Sequence, residues 1–369
     1  MPGWRRTPVC ETFDTAEPLA VIRRARELTD AVLPQSLIEP LGKAMYLSTG
    51  VGFDRAVGSL SRSLRRSTQA DETAALRTVV AELDVDWHRT TPAQRRKLIS
   101  QAMNAAGRHT ALIPARIESP FGDAADEVVA STRSHARQAQ GLAIGADLNA
   151  MDRRVTEHLV SSNLSFVTNE YGRRLDGLGE QARRIVADGV EAGLGRDQIA
   201  GNLKRAAERS LIGRSASYWD VVAASFIANG RSFAQLSSYA EAGIERYLIE
   251  AVLDEQTTEA CRFLHGKTFS VGDGIRRFEQ IESLDDPDEI KASQPWVRQA
   301  TDRSTGRTAL YVNRDGVRTP LAEVTRSGVG SKDDLGEFAR AASSRELMDM
   351  GVGFPPYHGL CRTTTVPVI

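Results

Sequence analysis

The sequence predicts a mainly helical protein that carries a small mixed α+β module at its C-terminal end. Aromatic residues make up only 6% of the 369 residues, which suits a helical chain better than a β-sandwich. Apolar residues recur at helical spacing through the first two thirds of the chain, and short alternating stretches begin near Ile244. The 41% hydrophobic and 26% charged residues are typical of an ordinary globular protein.

The N-terminal half contains several predicted helices. EPLAVIRRARELTDAVL, residues 17–33, places apolar residues on one helical face. In TTPAQRRKLISQAMNAAG, Thr91 is a candidate N-cap, Pro92 suits the first helical position and Gln94 completes a capping box. We expect this second helix to end at Gly107.

Proline, glycine and changes of pattern suggest how the chain is divided. The stretch IPARIESPFGDA, residues 113–124, is the best candidate linker of the first half. Gly193–Gly195 predict a break between two later helices. We therefore expect a helical N-terminal region at 1–180 and a second region at 181–369, which is helical at first and mixed from about residue 244.

The C-terminal module contains predicted strands and one further helix. IERYLIEAVLD, from Ile244, and KTFSV, from Lys267, are short and rich in β-forming residues. RTALYVNRDGVRTPLAEV alternates around Asp315-Gly316, which predicts a two-residue hairpin turn. We expect a last helix from about Ser331.

Two cysteine-histidine pairs are the candidate metal ligands. Cys261 and His265 are four residues apart, so they would share one face of a helix. His358 and Cys361 form an H-x2-C pair near the C-terminus. Two thiolates and two imidazoles would suit a structural zinc ion, which would fasten the tail to the start of the module.

A purely structural interpretation of the same residues stays open. Free cysteine is often a small buried apolar residue, and Cys261 can play that part without any metal. Asp254 would then cap the helix that carries Cys261, and Gly266 would supply a positive φ at its end. With three cysteines in the chain, a disulfide framework is excluded, and a Cys261–Cys361 bond would require an oxidising environment.

Two other classes of function are weaker alternatives. A cysteine-dependent hydrolase or transferase would use Cys261 or Cys361 with a histidine base, but the chain has no nucleophile elbow, HExxH motif or phosphate loop. A metal-stabilised DNA-binding module is opposed by the net charge of -1, although SRSLRRS at 61–67 is locally basic. We therefore expect no catalytic residues.

The C-terminal motifs resemble a known family. YLIEAVLDEQTTEACRFLHGKTF and PPYHGLCRTTTVPV are similar to the phage Mu F-like head morphogenesis domain of tailed bacteriophages, and the resemblance covers about residue 182 onward. The matching positions are Asp254, Glu255, Thr257, Cys261, Leu264, Gly266, Lys267, Phe269, Pro355, Pro356, His358, Cys361, Arg362 and Pro367.

The chain departs from that family at two positions. Many relatives have Cys-x-x-Cys in the first motif and Cys-Arg-Cys in the second, where this chain has Thr258 and Thr363. Either His265 and His358 replace the missing thiolates, or no metal is held.

The resemblance implies a minor capsid protein of a tailed phage or prophage that acts in procapsid assembly, DNA packaging or ejection. Its expected partners are the portal protein and other capsid or scaffold components, with phage DNA as a further candidate. Its expected location is the capsid interior of the virion, after assembly in the bacterial host cytoplasm. The first residues lack the apolar core of a signal peptide and no apolar run approaches ~20 residues, so we expect no membrane partner.

Overall fold

The computed structural model describes Leu47 and residues 49–213, 215–314 and 316–369. Helices occupy most of the first two hundred of these residues, and two small antiparallel sheets follow. The predicted fold class, mainly helical with a small C-terminal α+β module, is confirmed. The helix predicted at 17–33 and Cys10 lie outside the described residues. The described residues all belong to one unit, which spans Met45–Ile369.

The helices are mostly long in the first half of the chain and short in the module. In chain order they are α1 (Gly50–Glu82), α2 (Pro92–Thr110), α3 (Ile113–Gln138), α4 (Ala150–Glu191), α5 (Arg196–Glu208), α6 (Ser215–Glu241), α7 (Glu259–Leu264), α8 (Val271–Glu282), α9 (Pro287–Ser293) and α10 (Ser344–Asp349). A 3-10 turn at Trp87–Arg89 precedes α2, and a π-helical turn at Arg209–Gly213 follows α5.

The strands form two separate sheets. They are β1 (Arg246–Glu250), β2 (Thr268–Ser270), β3 (Arg298–Thr301), β4 (Thr308–Arg314), β5 (Val317–Arg326), β6 (Glu337–Ala339) and β7 (Thr364–Val368). The first sheet has the order β2-β1-β7, so the C-terminal strand pairs with the first strand of the module. The second sheet, β3-β4-β5-β6, is a meander.

Helix α6 lies at the centre of the unit that spans Met45–Ile369. It packs against α1, α3 and α4 on the helical side and against α8 and β7 on the module side. At Gly230 a Cβ atom would come within 2.8 Å of Val128 Cγ1 and 3.0 Å of Leu159 Cδ1, so only glycine lets the three helices approach this closely. One hydrophobic cluster therefore runs without a break from Leu47 through α6 to Cys361.

A second, smaller cluster lies away from the module. It is centred on the fully buried Trp87 and joins the C-terminal half of α1 to α2, α5 and the C-terminal half of α4. The 42-residue helix α4 contributes to both clusters and so connects them. The cysteine-histidine residues are therefore positioned by α6 and the first sheet, and not by this second cluster.

Three buried polar side chains on one face of α6 hold the C-terminal tail. Arg231, Gln235 and Tyr239 are spaced four residues apart, and we call them the α6 polar stripe. Arg231 donates hydrogen bonds to the carbonyl oxygens of Leu47, Arg362 and Thr363, and its guanidinium lies 4.9 Å from the centre of the Phe53 ring. Burial lowers the pKa of Arg231 to about 10.

The other two members of the α6 polar stripe bind strand β7. Gln235 Nε2 donates to Thr364 Oγ1 at 2.9 Å and to the carbonyl oxygen of Thr365 at 3.0 Å. The Tyr239 hydroxyl also donates to that carbonyl oxygen, at 2.9 Å. These bonds satisfy backbone groups of β7 that face the helix, so the tail is bonded to β1 along one edge and to α6 across its inner face.

Several local predictions are confirmed. Thr91 and Gln94 form the capping box of α2. Gly193–Gly195 separate α4 from α5. The strands predicted around β1 and β2 are present. The strands of the predicted hairpin, β4 and β5, pair up to Arg314 opposite Val317, and Asp315 of its turn lies outside the described residues.

The predicted linker at 113–124 is wrong, because these residues form the first half of α3. Pro114 lies in the first turn, where its missing N–H would have had no partner within the helix. Ile113, Ile117 and Phe121 recur every four residues and are fully buried. Burial of this apolar face outweighs the presence of Pro120 inside the helix.

Two predicted helix boundaries are also wrong. Helix α2 continues past Gly107 to Thr110, because glycine within a helix costs only about 1 kcal/mol and the buried Thr110 follows. The last helix does not start near Ser331. That segment contains β6, and α10 begins at Ser344 with Ser343 and Glu346 as a capping box.

The division of the chain at residue 180 stays a prediction, and the boundary falls within α4. None of the helices in the described ranges is both long and apolar enough to cross a lipid bilayer.

Replacement of Arg231 is expected to destabilise the protein. Arg231→Met keeps much of the side-chain volume but leaves three buried carbonyl oxygens without their donor, so we expect a loss on the order of 2–4 kcal/mol in the free energy of unfolding. Denaturant unfolding measures this loss. Arg184→Met, at an exposed position on α4, is the control and should change stability by less than about 0.5 kcal/mol. Equal effects of the two variants would contradict the role given to Arg231.

Candidate metal centre

The two sequence motifs of the module meet in space. Strand β7 pairs antiparallel with β1 over five residues, from Arg246 opposite Val368 to Glu250 opposite Thr364. This pairing places the residues just before β7 beside the segment that follows β1. At that junction Arg362 forms an ion pair with Asp254. Residues about a hundred positions apart in the chain are thus fixed next to one another.

The first motif forms a turn and a short helix. Asp254 Oδ1 accepts a hydrogen bond from the Gln256 amide at 2.9 Å, and the Asp254 amide donates to Thr257 Oγ1 at 2.8 Å. Asp254 was predicted to cap the helix, and this is wrong: Thr258 is the N-cap of α7 and accepts from the Cys261 amide at 3.4 Å. Helix α7 ends at Leu264, and Gly266 has the predicted positive φ, 77°.

The second motif forms a tight turn against α6. The Cys361 amide donates to the carbonyl oxygen of His358 at 3.2 Å, and the Pro355–Pro356 peptide bond that precedes the turn is cis. A Cβ atom on Gly359 would lie 2.8 Å from Val221 Cγ1 and 3.0 Å from Trp296, so the turn is packed closely. Close packing fixes the direction of the His358 and Cys361 side chains.

Three of the four predicted ligands come together. Cys261 Sγ lies 3.7 Å from Cys361 Sγ and 3.2 Å from His358 Nε2. The three donor atoms all lie within 4.8 Å of one another, and both cysteines are buried as free thiols. This group can bind a metal ion, since thiolates and a neutral imidazole are the ligands that soft and borderline metals prefer. We call it the Cys-His cluster.

His265 is not part of the Cys-His cluster in the described structure. Its Nδ1 accepts a hydrogen bond from the Ala251 amide at 3.1 Å, so the ring faces the end of β1. The four-residue spacing from Cys261 assumed a helix that continues through His265. Helix α7 instead ends at Leu264 with His265 as its C-cap, and the His265 ring is held by the Ala251 amide.

The two thiols of the Cys-His cluster differ in acidity. Burial opposes ionisation of Cys361, but a hydrogen bond from Cys261 and the neighbouring His358 outweigh it and hold the pKa of Cys361 well below its ordinary value. The hydrogen bond to Cys361, with burial, raises the pKa of Cys261. The two thiols therefore titrate as a coupled pair, in which an ionised Cys361 would accept a hydrogen bond from the Cys261 thiol.

Two threonine hydroxyls act on the Cys261 thiol. Thr258 and Thr363 both lower the pKa of Cys261, against the larger raising effects of Cys361 and burial. One belongs to each sequence motif, and both were noted from the sequence only as departures from a cysteine pattern. Their convergence on one sulfur atom could not be read from the sequence, because it depends on the pairing of β1 with β7.

Sequence reasoning also missed a buried arginine beside the cluster. Arg262 is 1% exposed and donates to the carbonyl oxygens of Thr257 at 3.0 Å, Asp254 at 2.7 Å and Ser331 at 2.6 Å, and also to that of Asp334. It therefore fastens the turn before α7 to the loop before β6. Arginine is almost never fully buried, so the sequence around Arg262 gives no signal for this role.

No protein-family model, no curated protein and no solved structure matches this sequence.

Removal of metal is expected to destabilise the module through the Cys-His cluster. We expect a chelator to lower the melting temperature of the metal-loaded protein, since the ion binds the folded state only. Cys261→Ala should abolish that chelator response. Thermal melts together with metal analysis of the purified protein measure both effects.

His265→Asn is the matched control, because its amide oxygen can still accept from Ala251 while the imidazole is lost. This variant should keep its metal and its chelator response. Identical melts of the native protein with and without chelator, and a cost of only ~1–2 kcal/mol for Cys261→Ala, would instead indicate plain packing.

Proposed function

We propose that this chain is a minor head protein of a tailed phage or prophage, and that it is associated with the portal during head assembly. The observation that carries this proposal is the meeting of the segments around Cys261 and Cys361. The resemblance to the head morphogenesis domain rests on these two segments, and their direct contact gives both one structural purpose. Together they join the end of the module to its beginning and hold the C-terminal tail in place.

The positions of the two threonines support the proposal further. Thr258 and Thr363 are the positions at which the resemblance leads us to expect cysteine. Both hydroxyls influence the acidity of the Cys261 thiol, and cysteines at these two positions would supply the remaining thiolates of a four-cysteine site. A chance similarity of letters would give no reason for these two positions to converge.

Zinc is the metal that we propose for the Cys-His cluster. Two thiolates bound to one tetrahedral zinc at about 2.3 Å lie about 3.8 Å apart. The separation of the Cys261 and Cys361 sulfur atoms is 3.7 Å. The contact between Cys261 and His358, 3.2 Å, is shorter than the roughly 3.6 Å expected for a sulfur and a nitrogen on one zinc, and matches a hydrogen bond. The cluster thus supplies three ligands, and a fourth must come from another group.

A structural role suits the Cys-His cluster better than nucleophilic catalysis. A catalytic cysteine must be reached by its substrate, whereas Cys261 and Cys361 are 3% and 0% exposed. The Cys361 thiol also lies against the α6 polar stripe, whose Arg231 bonds the two residues that follow it. We therefore assign the cluster to stability of the module.

Restoring the two thiols is expected to strengthen metal binding. The double variant Thr258→Cys/Thr363→Cys places two more thiolates around the site, so we expect tighter zinc binding and a higher melting temperature in the presence of zinc. Competition with a coloured zinc chelator measures the affinity. The paired change Thr257→Cys/Thr364→Cys, one position away in each motif, is the control and should not tighten binding. Unchanged affinity in the first variant would argue against the proposed site.

Head assembly is tested with the portal protein encoded by the same genome. We expect a tagged form of this chain to co-purify with that portal and to be present at low copy in purified heads. The Cys261→Ala/Cys361→Ala variant should enter heads less often, because its tail is no longer fastened. Ester and peptide hydrolysis is measured for the native protein and for the same variant. Hydrolysis by the native protein that the variant loses would support the enzyme alternative. Heads that form normally and lack the chain would contradict the proposal.

A further inference from the structure

The module has a polar pocket that lies apart from the Cys-His cluster. The pocket has a volume of about 720 Å³ and is formed where β1, β2, α8 and α10 meet. This volume lies within the roughly 300–1,000 Å³ that small-molecule sites occupy. None of its lining residues belongs to the Cys-His cluster or to the α6 polar stripe.

Arginine is the dominant charged residue of this pocket. Arg246, Arg276, Arg277 and Arg345 line it, together with the two carboxylates of Asp273 and Asp349. Four positive and two negative groups leave an excess of two positive charges, in a chain whose net charge is -1. The pocket is thus a local concentration of positive potential.

The carboxylates of the pocket pair with only one of the four guanidinium groups. Asp273 pairs with Arg276, three residues further along α8. Within the described part of the chain, Arg246 and Arg345 form no ion pair, and both are exposed. They stand on different elements, β1 and α10, so they approach the pocket from two sides.

Arg277 lies deeper and is poorly compensated. Its Nη1 donates to Gln280 Oε1 at 3.2 Å, while its Nε is buried without an acceptor. A Cβ atom on Gly351 would lie 2.7 Å from Arg277 Nη2, so the guanidinium is held closely against that turn. Burial and the nearby Arg314 lower the pKa of Arg277. A bound anion would relieve this accumulation of like charge.

The start of helix α8 adds to the same potential. Ser270, its N-cap, and Asp273, in its first turn, both line the pocket, so the positive end of a 12-residue helix dipole faces it. We propose that this pocket binds a phosphate group, carried either by a small phosphorylated molecule such as a nucleotide or by a nucleic-acid backbone. One guanidinium group can donate two parallel hydrogen bonds to the oxygens of a phosphate, so several arginines around one cavity suit phosphate binding.

The test uses the full chain with its metal and two variants of exposed arginines. Arg246→Ala and Arg345→Ala each remove one guanidinium that makes no ion pair in the described structure, so folding should be kept, which thermal melts verify. Arg303→Ala removes the same charge from the exposed turn between β3 and β4, outside the pocket, and is the control. Inorganic phosphate, pyrophosphate, a nucleoside triphosphate and a short DNA duplex are the probes, and calorimetry measures binding.

We expect at least one probe to bind the native protein and the Arg303→Ala control alike. Binding to Arg246→Ala and to Arg345→Ala should be roughly tenfold or more weaker. Saturation by the small phosphates assigns the site to a small ligand. Binding of the duplex alone, with affinity that falls steeply with salt, assigns it to a nucleic-acid backbone.

Absence of binding by every probe would overturn the proposal. Binding that both pocket variants retain at the strength of the control would also overturn it, because the anion would then lie elsewhere. These outcomes do not depend on head assembly. The proposed function fails on the portal and head measurements, whereas the phosphate pocket fails on these titrations alone.

Discussion

The structure depends on one buried arginine that binds backbone and not a carboxylate. Arg231 lies in the middle of the central helix and donates to carbonyl oxygens from both ends of the described chain, at Leu47 and at Arg362 and Thr363. A carbonyl carries only a partial charge, so burial of the full charge is compensated by three acceptors and by the face of Phe53. Because the start of α1, helix α6 and the tail all contact this one group, none of them can shift without breaking its hydrogen bonds.

The Cys-His cluster is the next consequence of that constraint. Once Arg231 fixes the residues after Cys361, the pairing of β7 with β1 places Cys361 and His358 beside Cys261. When ionised, the buried Cys361 would partly balance the charge of the Arg231 guanidinium. A divalent ion held by two thiolates would be neutral as a unit, so the site can take a metal without adding charge to the core. The electrostatics of Arg231 and of the cluster are therefore linked.

The sequence was informative where local chemistry decides the structure, and less so where tertiary contacts do. The capping box at Thr91, the hairpin between β4 and β5, and the meeting of Cys261, His358 and Cys361 followed from short patterns. The prediction of a linker at 113–124 was wrong because it relied on two prolines and overlooked buried apolar residues at four-residue spacing. His265 was assigned by helical spacing that the early end of α7 removes. The roles of Arg231 and Arg262 depend on carbonyl groups far along the chain, which no local pattern can indicate.

The closure of the module at its base has a consequence for the segment between the two motifs. Residues 270–354 connect the two motifs, and both ends of this segment are fixed by the first sheet and the Cys-His cluster. Closing a flexible loop becomes only about 0.6 kcal/mol more costly for each doubling of its length. The exposed turns of this segment can therefore accept insertions at little thermodynamic cost, whereas its parts that pack on the core or bind Arg262 must be kept. Fixing both ends of the segment in this way separates the register of the sheet from the length of the turns between its strands.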